Sequence, residues 1–335
     1  MIHAYAARKQ GGAFEPFEYN PGELAADEVE IAVDHCGICH SDLSMLDNDW
    51  GQTTYPFVGG HEVVGRIIAV GPLVPNLQVG DHVGVGWTSR SCMHCDQCMS
   101  GHHNRCASNE GLIVGRYGGF ADAVRCHWAW TTKLPEGFDL REGGPLFCGG
   151  ITVFQPIVQH AIRPTARVGV IGIGGLGHMA LMFLNKWGCE VTAFSTTRDK
   201  EEEARRMGAH EFVATKEPDA LSKLTGKFDL IVNTTNVRLD WDAYVETLAP
   251  GGVLHTVGAV LDTFGVANSF NLLIQEKSLS ASPLGPPATV RKMVEFCARH
   301  KIAPITEHYP IDKINDAFEK LRSGSPRYRL VLDMH

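Results

Sequence analysis

The feature that most constrains this chain is a glycine turn. It is set between a short apolar run and a helical stretch, in Val168-Gly-Val-Ile-Gly172-Ile-Gly174-Gly175-Leu176-Gly177-His-Met-Ala. A lone G-x-G-x-x-G is a weak signal, but here it opens a strand–turn–helix unit, the context that gives it meaning. Further elements follow in alternation. Arg167 to Ile171 reads as a buried strand and His178 to Trp187 as a helix. Glu190 to Phe194 is a second strand and Lys200 to Met207 a second helix, with apolar runs at Phe228 to Asn233 and Val253 to Val257. Strands alternating with helices predict a parallel, doubly wound sheet. The turn glycines let the backbone approach a pyrophosphate, and the helix N-terminus favours its negative charge.

The half before residue 166 has another pattern. Short β-branched runs, among them Val29 to Val33, Val63 to Val70 and Asp81 to Gly86, are separated by turn residues and predict a β-rich domain. After Pro286 and Pro287 comes an amphipathic helix, Thr289 to His300, and the tail Tyr328 to Asp333 reads as one more strand. At 335 residues two domains are the natural reading. A net charge of -8 argues against nucleic acid as a partner. No apolar run approaches the roughly 18 residues of a membrane span. The opening MIHAYAARKQGGAF has no secretory h-region, so a cytoplasmic location is expected.

Ten cysteines must then be explained in a reducing compartment, where disulfides are rare. Cys92, Cys95, Cys98 and Cys106 follow the spacing C-x2-C-x2-C-x7-C in a polar, His-rich loop. Four thiolates around a tetrahedral zinc make a closed site that fixes a loop and leaves no position for substrate. Four idle thiols and an iron–sulfur cluster are the alternatives. The clustering argues against the first, and the lack of other electron-transfer motifs against the second. Three scattered segments, Gly37-Ile-Cys39-His40-Ser41-Asp42, Gly60-His61-Glu62 and Pro145-Leu-Phe-Cys148, together supply Cys, His and Cys. Singly, each residue is more readily core or surface. As a set they match a known catalytic zinc arrangement with an open fourth position, whose stock example is alcohol dehydrogenase. Cys36, Cys126, Cys189 and Cys297 read as small apolar filler.

The motifs CGICHSD (36–42), GHEVVG (60–65), the cysteine knuckle, GGFAD (118–122), CGGITVF (148–154) and GIGGLG (172–177) run in order along nearly the whole chain. In them the chain resembles the zinc-containing medium-chain alcohol dehydrogenase superfamily. It is most similar to the cinnamyl-alcohol-dehydrogenase-like branch and its bacterial broad-range aldehyde reductases. Met93 departs from the pattern where glycine is usual, and His82 where arginine is common.

The resemblance implies an α/β protein. A GroES-like β-rich catalytic domain would span 1–148, completed by 286–335, and a Rossmann doubly wound nucleotide-binding domain 149–285. It implies Cys39, His61 and Cys148 as ligands of a catalytic zinc and the four knuckle cysteines as ligands of a structural one. Glu62 becomes a neighbouring carboxylate, Asp42 the acceptor that orients His61, Ser41 the proton-passing hydroxyl and His40 the end of the relay. Trp50, with Trp87 and Leu284, is implied at the substrate pocket. Gly172, Gly174, Gly175, Leu176, Gly177, Thr152, Val257 and Gly258 are implied at the cofactor. A homodimer joined through sheet edges, with Ser278 to Pro283 as edge strand, is also implied.

Cofactor choice is read at the end of the second strand. NAD enzymes place Asp or Glu there for the ribose hydroxyls. This chain has Ser195, followed by Thr196, Thr197, Arg198, Asp199 and Lys200. Hydroxyls and cations can bind a 2′-phosphate that a carboxylate would repel, so NADP(H) is expected. The alternative is that Arg198 and Lys200 begin a charged helix while Asp199 serves NAD. The functional expectation is hydride transfer between NADP(H) and an aldehyde/primary alcohol pair. NAD-dependent alcohol oxidation and a non-catalytic zinc- and NADP-binding member of the fold are the alternatives.

Overall fold

The computed structural model describes residues 1–260, 263–266, 268–324 and 326–334. The chain divides into two compact units, 1–151 with 285–335, and 152–284.

The first unit is built on a seven-stranded sheet. Its order is Thr306–Pro310, Arg329–Asp333, Glu28–Ile38, Glu62–Val70, His82–Val85 and Thr132–Lys133, with Ala123–His127 also pairing to Glu28–Ile38. The long Glu28–Ile38 strand shows why the segment is extended. Val29, Ile31 and Val33 alternate into the core with no exposure, while Glu30 and Ala32 face the other way. That period-two burial is the signature of a strand with one face on the core. Its register against Arg329–Asp333 sets His35 opposite Asp333, and its register against Glu62–Val70 sets Gly37 opposite Glu62. The strand end thus delivers Cys39 beside the His61–Glu62 segment.

The second unit carries a six-stranded, wholly parallel sheet. Its order is Glu211–Ala214, Glu190–Ser195, Arg167–Ile171, Phe228–Asn233, Leu248–Thr256 and Ser278–Ala281. The first strand in sequence lies in the middle, and successive strands spread outward to both sides. This is the doubly wound order, whose reversal point lies beside Arg167–Ile171, where such sheets bind ligands. Val168, Val170 and Ile171 are all buried, as expected of a strand covered on both faces.

Two sequence expectations shift in detail. The helix expected from Lys200 begins as a tight turn, Arg198–Lys200, and becomes α-helical only over Glu201–Arg206. The Val253 to Val257 strand is longer, Leu248–Thr256, and passes through Pro250 and Gly251 with a register shift against its neighbour. No helix among the described residues is long and apolar enough to cross a membrane.

Candidate metal centres and dinucleotide turn

The first candidate centre lies where three segments end. Cys39 caps the short helix His40–Leu46 in extended conformation (φ -105°, ψ 158°). His61 and Glu62 open their strand, and Cys148 follows the turn Gly144–Phe147. The Cys39 and Cys148 sulfurs are 3.9 Å apart, and His61 Nε2 is 3.3 Å from the Cys148 sulfur. Tetrahedral zinc with Zn–S bonds of about 2.3 Å would set two sulfurs about 3.8 Å apart, so the donors already stand at zinc spacing.

Asp42 explains the orientation of this set. Its fully buried carboxylate accepts from the Cys39 and Gly60 backbone N–H groups, each at 2.8 Å, and from His61 Nδ1 at 3.0 Å. With Nδ1 donating to Asp42, the His61 Nε2 lone pair is free to ligate. This is the usual arrangement behind a metal-bound imidazole. The Ser41 hydroxyl is 3.7 Å from the Cys39 sulfur, and His40 is exposed beside it.

The electrostatics point to a cation. The hydrogen bond shared with Cys148 holds the Cys39 thiol well below the usual range, against burial, while the same contact and burial push Cys148 up. Burial raises the Glu62 carboxyl to about 7, although Arg329 pulls the other way. Glu62 Oε1 pairs with the buried Arg329 guanidinium, and Oε2 is buried without a hydrogen-bond partner. All four groups, Cys39, His61, Glu62 and Cys148, offer ligand atoms within 4.8 Å of one another. With both thiols ionised and His61 neutral, as ligands must be, two thiolates and two carboxylates would stand against one guanidinium, and a divalent ion would neutralise the excess. The residues therefore fit zinc.

Arg329 had no signal in the sequence, because it lies in the tail strand far from any motif. Removing one member of a buried pair strands the other charge, at a cost of about 3–5 kcal/mol. Arg329→Met is thus expected to lower the chemical unfolding midpoint strongly, and Arg329→Met with Glu62→Gln to recover most of the loss. Equal midpoints for wild type and Arg329→Met would show that the pair carries no such weight.

The Trp87 ring stands edge-on to His61 at 5.0 Å, and Trp50 stacks edge-on to Trp87 at 5.8 Å. Trp87 is therefore the tryptophan against the ligand set, while Trp50, 38% exposed, lies behind it.

The second centre is the knuckle. Cys92, Cys95, Cys98 and Cys106 also offer ligand atoms within 4.8 Å of one another, with the Cys92 and Cys98 sulfurs 3.9 Å apart. Backbone N–H groups of Cys95 and Cys92 donate to the sulfurs of Cys92 and Cys106 at 3.3 and 3.5 Å, which favours thiolates. Met93 adopts φ +64°, the left-handed conformation that explains why glycine is usual at this point. Cys36, Cys126, Cys189 and Cys297 are all buried.

In the second unit, Arg167–Ile171 runs into the glycine turn and then the helix Gly177–Trp187, with Leu176 at its N-cap. A side chain at Gly177 would collide with the Gly172 carbonyl, so glycine lets the helix start close to the strand. A side chain at Gly174 would meet nothing within 4 Å, which leaves open space over the turn for a phosphate. The turn thus fits a dinucleotide. The Thr234 hydroxyl braces it by donating toward the Ile171 and Gly172 carbonyls, both at 2.9 Å. This residue lies in none of the motifs of the sequence. Val257 and Gly258 donate their N–H groups to the Asn233 carbonyl at 2.9 and 3.2 Å, placing them at the end of the neighbouring strand. Thr152 donates its hydroxyl to the Pro283 carbonyl at 2.8 Å.

Ser195 ends its strand half-exposed, followed by exposed Thr196 and Thr197. Lys200 reaches back to the Ile173 carbonyl at 2.8 Å, inside the glycine turn. Arg198 is turned differently. It makes a two-pronged pair with Glu217, at 2.7 and 3.1 Å, and a further contact with Glu201 at 2.6 Å. Thr197 donates to Asp199 at 2.8 Å. The donors are present, but carboxylates engage the strongest of them.

Residues 25–136 match the alcohol dehydrogenase GroES-like domain family, and residues 175–299 match the zinc-binding dehydrogenase family. The chain is 53% identical over 332 residues to the aldehyde reductase AdhA of Synechocystis sp., an alignment covering 99% of this chain and 98% of that protein. Its fold is similar to that of a cinnamyl alcohol dehydrogenase from Sorghum bicolor (TM-score 0.92, 32% identity, 99% and 97% of the two chains). It is also similar to the CAD from Helicobacter pylori solved with NADP(H) (TM-score 0.89, 26% identity, 99% and 98%).

Proposed function

This chain belongs to the zinc-binding, GroES-like alcohol dehydrogenase family, and we propose that it is an NADP(H)-dependent aldehyde reductase with two zinc ions per chain. The observation that carries the reading is the contrast between the two cysteine centres. One brings together four thiols, and the other brings Cys39, His61 and Cys148 together with Glu62, whose carboxylate Arg329 engages; three protein ligands there would leave a fourth position for substrate. A protein that used zinc only to brace a loop would have no need of the second. The similarity to an aldehyde reductase and to an NADP(H)-bound CAD supports the substrate class and the cofactor.

When bound, zinc supplies Lewis acidity at the substrate oxygen and the nicotinamide supplies or accepts the hydride. The chain's own residues do the rest. Cys39, His61 and Cys148 hold the ion, and Asp42 fixes the His61 ring so that Nε2 faces it. Ser41, beside Cys39, hands a proton to the substrate oxygen as its carbon is reduced. His40, exposed to solvent, would form the far end of the relay that leads from Ser41 by way of the cofactor ribose. Trp87 and Trp50 give an apolar wall suited to aliphatic or aromatic aldehydes. Reduction consumes a proton, so neutral rather than alkaline pH favours it.

We place the enzyme in the cytoplasm as a homodimer. Ten cysteines without a disulfide among the described residues suit a reducing compartment. Ser278–Ala281, the outer strand of the parallel sheet, offers an edge for a second copy.

Two measurements test the proposal. Elemental analysis of the purified protein is expected to give two zinc ions per chain. Absorbance at 340 nm is expected to fall when NADPH and a simple aldehyde are mixed with it. Iron in place of zinc, or no oxidation of NADPH across a panel of aldehydes, would overturn the reading. A specific observation keeps the NAD alternative in view, namely the engagement of Arg198 by Glu217 and Glu201. The same assay with NADH decides between them.

A further inference from the structure

A third cluster of ligand-type side chains lies outside both cysteine centres. His308, Asp333 and His35 stand on three adjacent strands of the first unit's sheet, Thr306–Pro310, Arg329–Asp333 and Glu28–Ile38. The register brings them together. His35 is directly opposite Asp333, and His308 is opposite Val331, two residues before Asp333 and on the same face. One ligand atom from each lies within 4.8 Å of the others. Both His35 Nδ1 and His308 Nδ1 are 2.7 Å from the same oxygen of Asp333. The three side chains are partly buried, which leaves an approach from solvent.

A fourth residue distinguishes this cluster from a chance surface pairing. Glu142 lies 3.3 Å from the other ring nitrogen of His308, and Thr306 donates its hydroxyl to the same Glu142 oxygen. The carboxylate therefore stands behind His308 as Asp42 stands behind His61. Once His308 Nδ1 gives up its proton, Glu142 can hold the remaining one on Nε2 and so leave the Nδ1 lone pair for a metal. A carboxylate in that position is the usual orienting partner of a ligating imidazole.

We propose that His35, His308 and Asp333 form a third divalent transition-metal site, oriented by Glu142. Two imidazoles and a carboxylate suit Zn2+, Co2+ or Ni2+ rather than Ca2+ or Mg2+. Bonds of about 2.0–2.2 Å in a tetrahedral arrangement need ligand atoms about 3.3 Å apart. The nitrogens therefore need withdraw from the Asp333 oxygen by only about half an ångström. Without metal, each ring donates its Nδ1 proton to Asp333. On binding, each becomes the Nε2–H form, and His308 then donates to Glu142. A metal here would pin three strands, one of which begins at Arg329 and another of which runs into Cys39. It would tie down the sheet edge that supports the cysteine–histidine centre.

The test adds Co2+ to zinc-loaded protein. Nitrogen and oxygen ligands give Co2+ weak visible bands, whereas exchange into either cysteine centre adds strong near-ultraviolet thiolate bands. The expected result is one further Co2+ per chain without thiolate bands, together with a rise in melting temperature. His308→Gln and Asp333→Asn, each first shown to be folded by circular dichroism, are expected to abolish both effects. Glu142→Gln is expected to weaken binding roughly ten- to a hundredfold. His35→Gln serves if His308→Gln does not fold. Cobalt uptake that is equal in wild type and variants, uptake carrying thiolate bands, or none at all would overturn the proposal. These ligands lie outside the proposed catalytic set, so failure here leaves the aldehyde reductase reading untouched, and an inactive enzyme that still binds the extra Co2+ leaves this one.

Discussion

Replacing Cys148 by serine is expected to abolish turnover while leaving the fold intact. The Cys148 sulfur stands 3.9 Å from that of Cys39 and 3.3 Å from His61 Nε2, so it completes the donor set. Serine is shorter, its alcohol is far less acidic, and its hard oxygen suits zinc less well than thiolate. Lewis-acid stabilisation of charge at the substrate oxygen contributes several kcal/mol, so its loss should lower kcat by roughly a thousandfold or more. His61→Ala should do the same and also leave the buried Asp42 carboxylate without its imidazole partner. Cys95→Ser should behave in the opposite way, because a closed site contributes its binding energy to folding. It should melt earlier, with activity surviving at temperatures where the fold survives. Three measurements decide the matter: zinc content, melting temperature and kcat for each variant. Near-normal kcat in Cys148→Ser would remove this residue from the catalytic assignment. If Cys95→Ser lost kcat while keeping its melting temperature, the two centres would have to exchange roles.

The sequence revealed those parts of the molecule whose physics is local. The glycine turn announced its strand and helix, because a strand that must turn sharply into a close-packed helix start needs glycine at fixed offsets. Arg167–Ile171 and Phe228–Asn233 are observed at the positions read from their apolar runs. The cysteine knuckle was legible for the same reason, since its four ligands lie within fifteen residues. The open centre was legible only through resemblance, because Cys39, His61 and Cys148 meet through strand register that no local pattern encodes. Partners brought in by tertiary pairing were not legible at all. Arg329 reaches Glu62 across more than two hundred residues, Thr234 braces the glycine turn from a neighbouring strand, and His308 joins His35 through the C-terminal strand. Glu217 belongs with them. It follows a strand one place further out in the sheet, so reading the residues after Ser195 could not show that a carboxylate would face Arg198.

That carboxylate makes the second large expectation sharper. NADPH is expected to be preferred to NADH by kcat/KM, because Ser195 stands where NAD enzymes place an acid and Thr196, Thr197, Arg198 and Lys200 follow. One or two charge-assisted bonds to a 2′-phosphate correspond to a preference of roughly ten- to several-hundred-fold. Ser195→Asp should remove most of it, because the new carboxylate repels the phosphate while its oxygens can accept from ribose hydroxyls. Arg198→Ala should raise the KM for NADPH with little change for NADH. Glu217 turns the argument into a three-way test. It holds the Arg198 guanidinium with two hydrogen bonds, so a 2′-phosphate must draw the side chain away before binding it. Glu217→Gln should weaken that hold and lower the KM for NADPH, and Arg198→Ala combined with Glu217→Gln should show no such gain. Direct binding of NADP+ by the purified protein gives a readout independent of turnover, and the same order of affinities is expected there. Equal use of NADH and NADPH by the wild type, or equal effects of Arg198→Ala on both, would move the enzyme to NAD and leave its zinc chemistry in place. If Glu217→Gln instead weakened NADP+ binding, Glu217 would be positioning Arg198 for the phosphate rather than competing with it. The pair would then be a preformed part of the pocket.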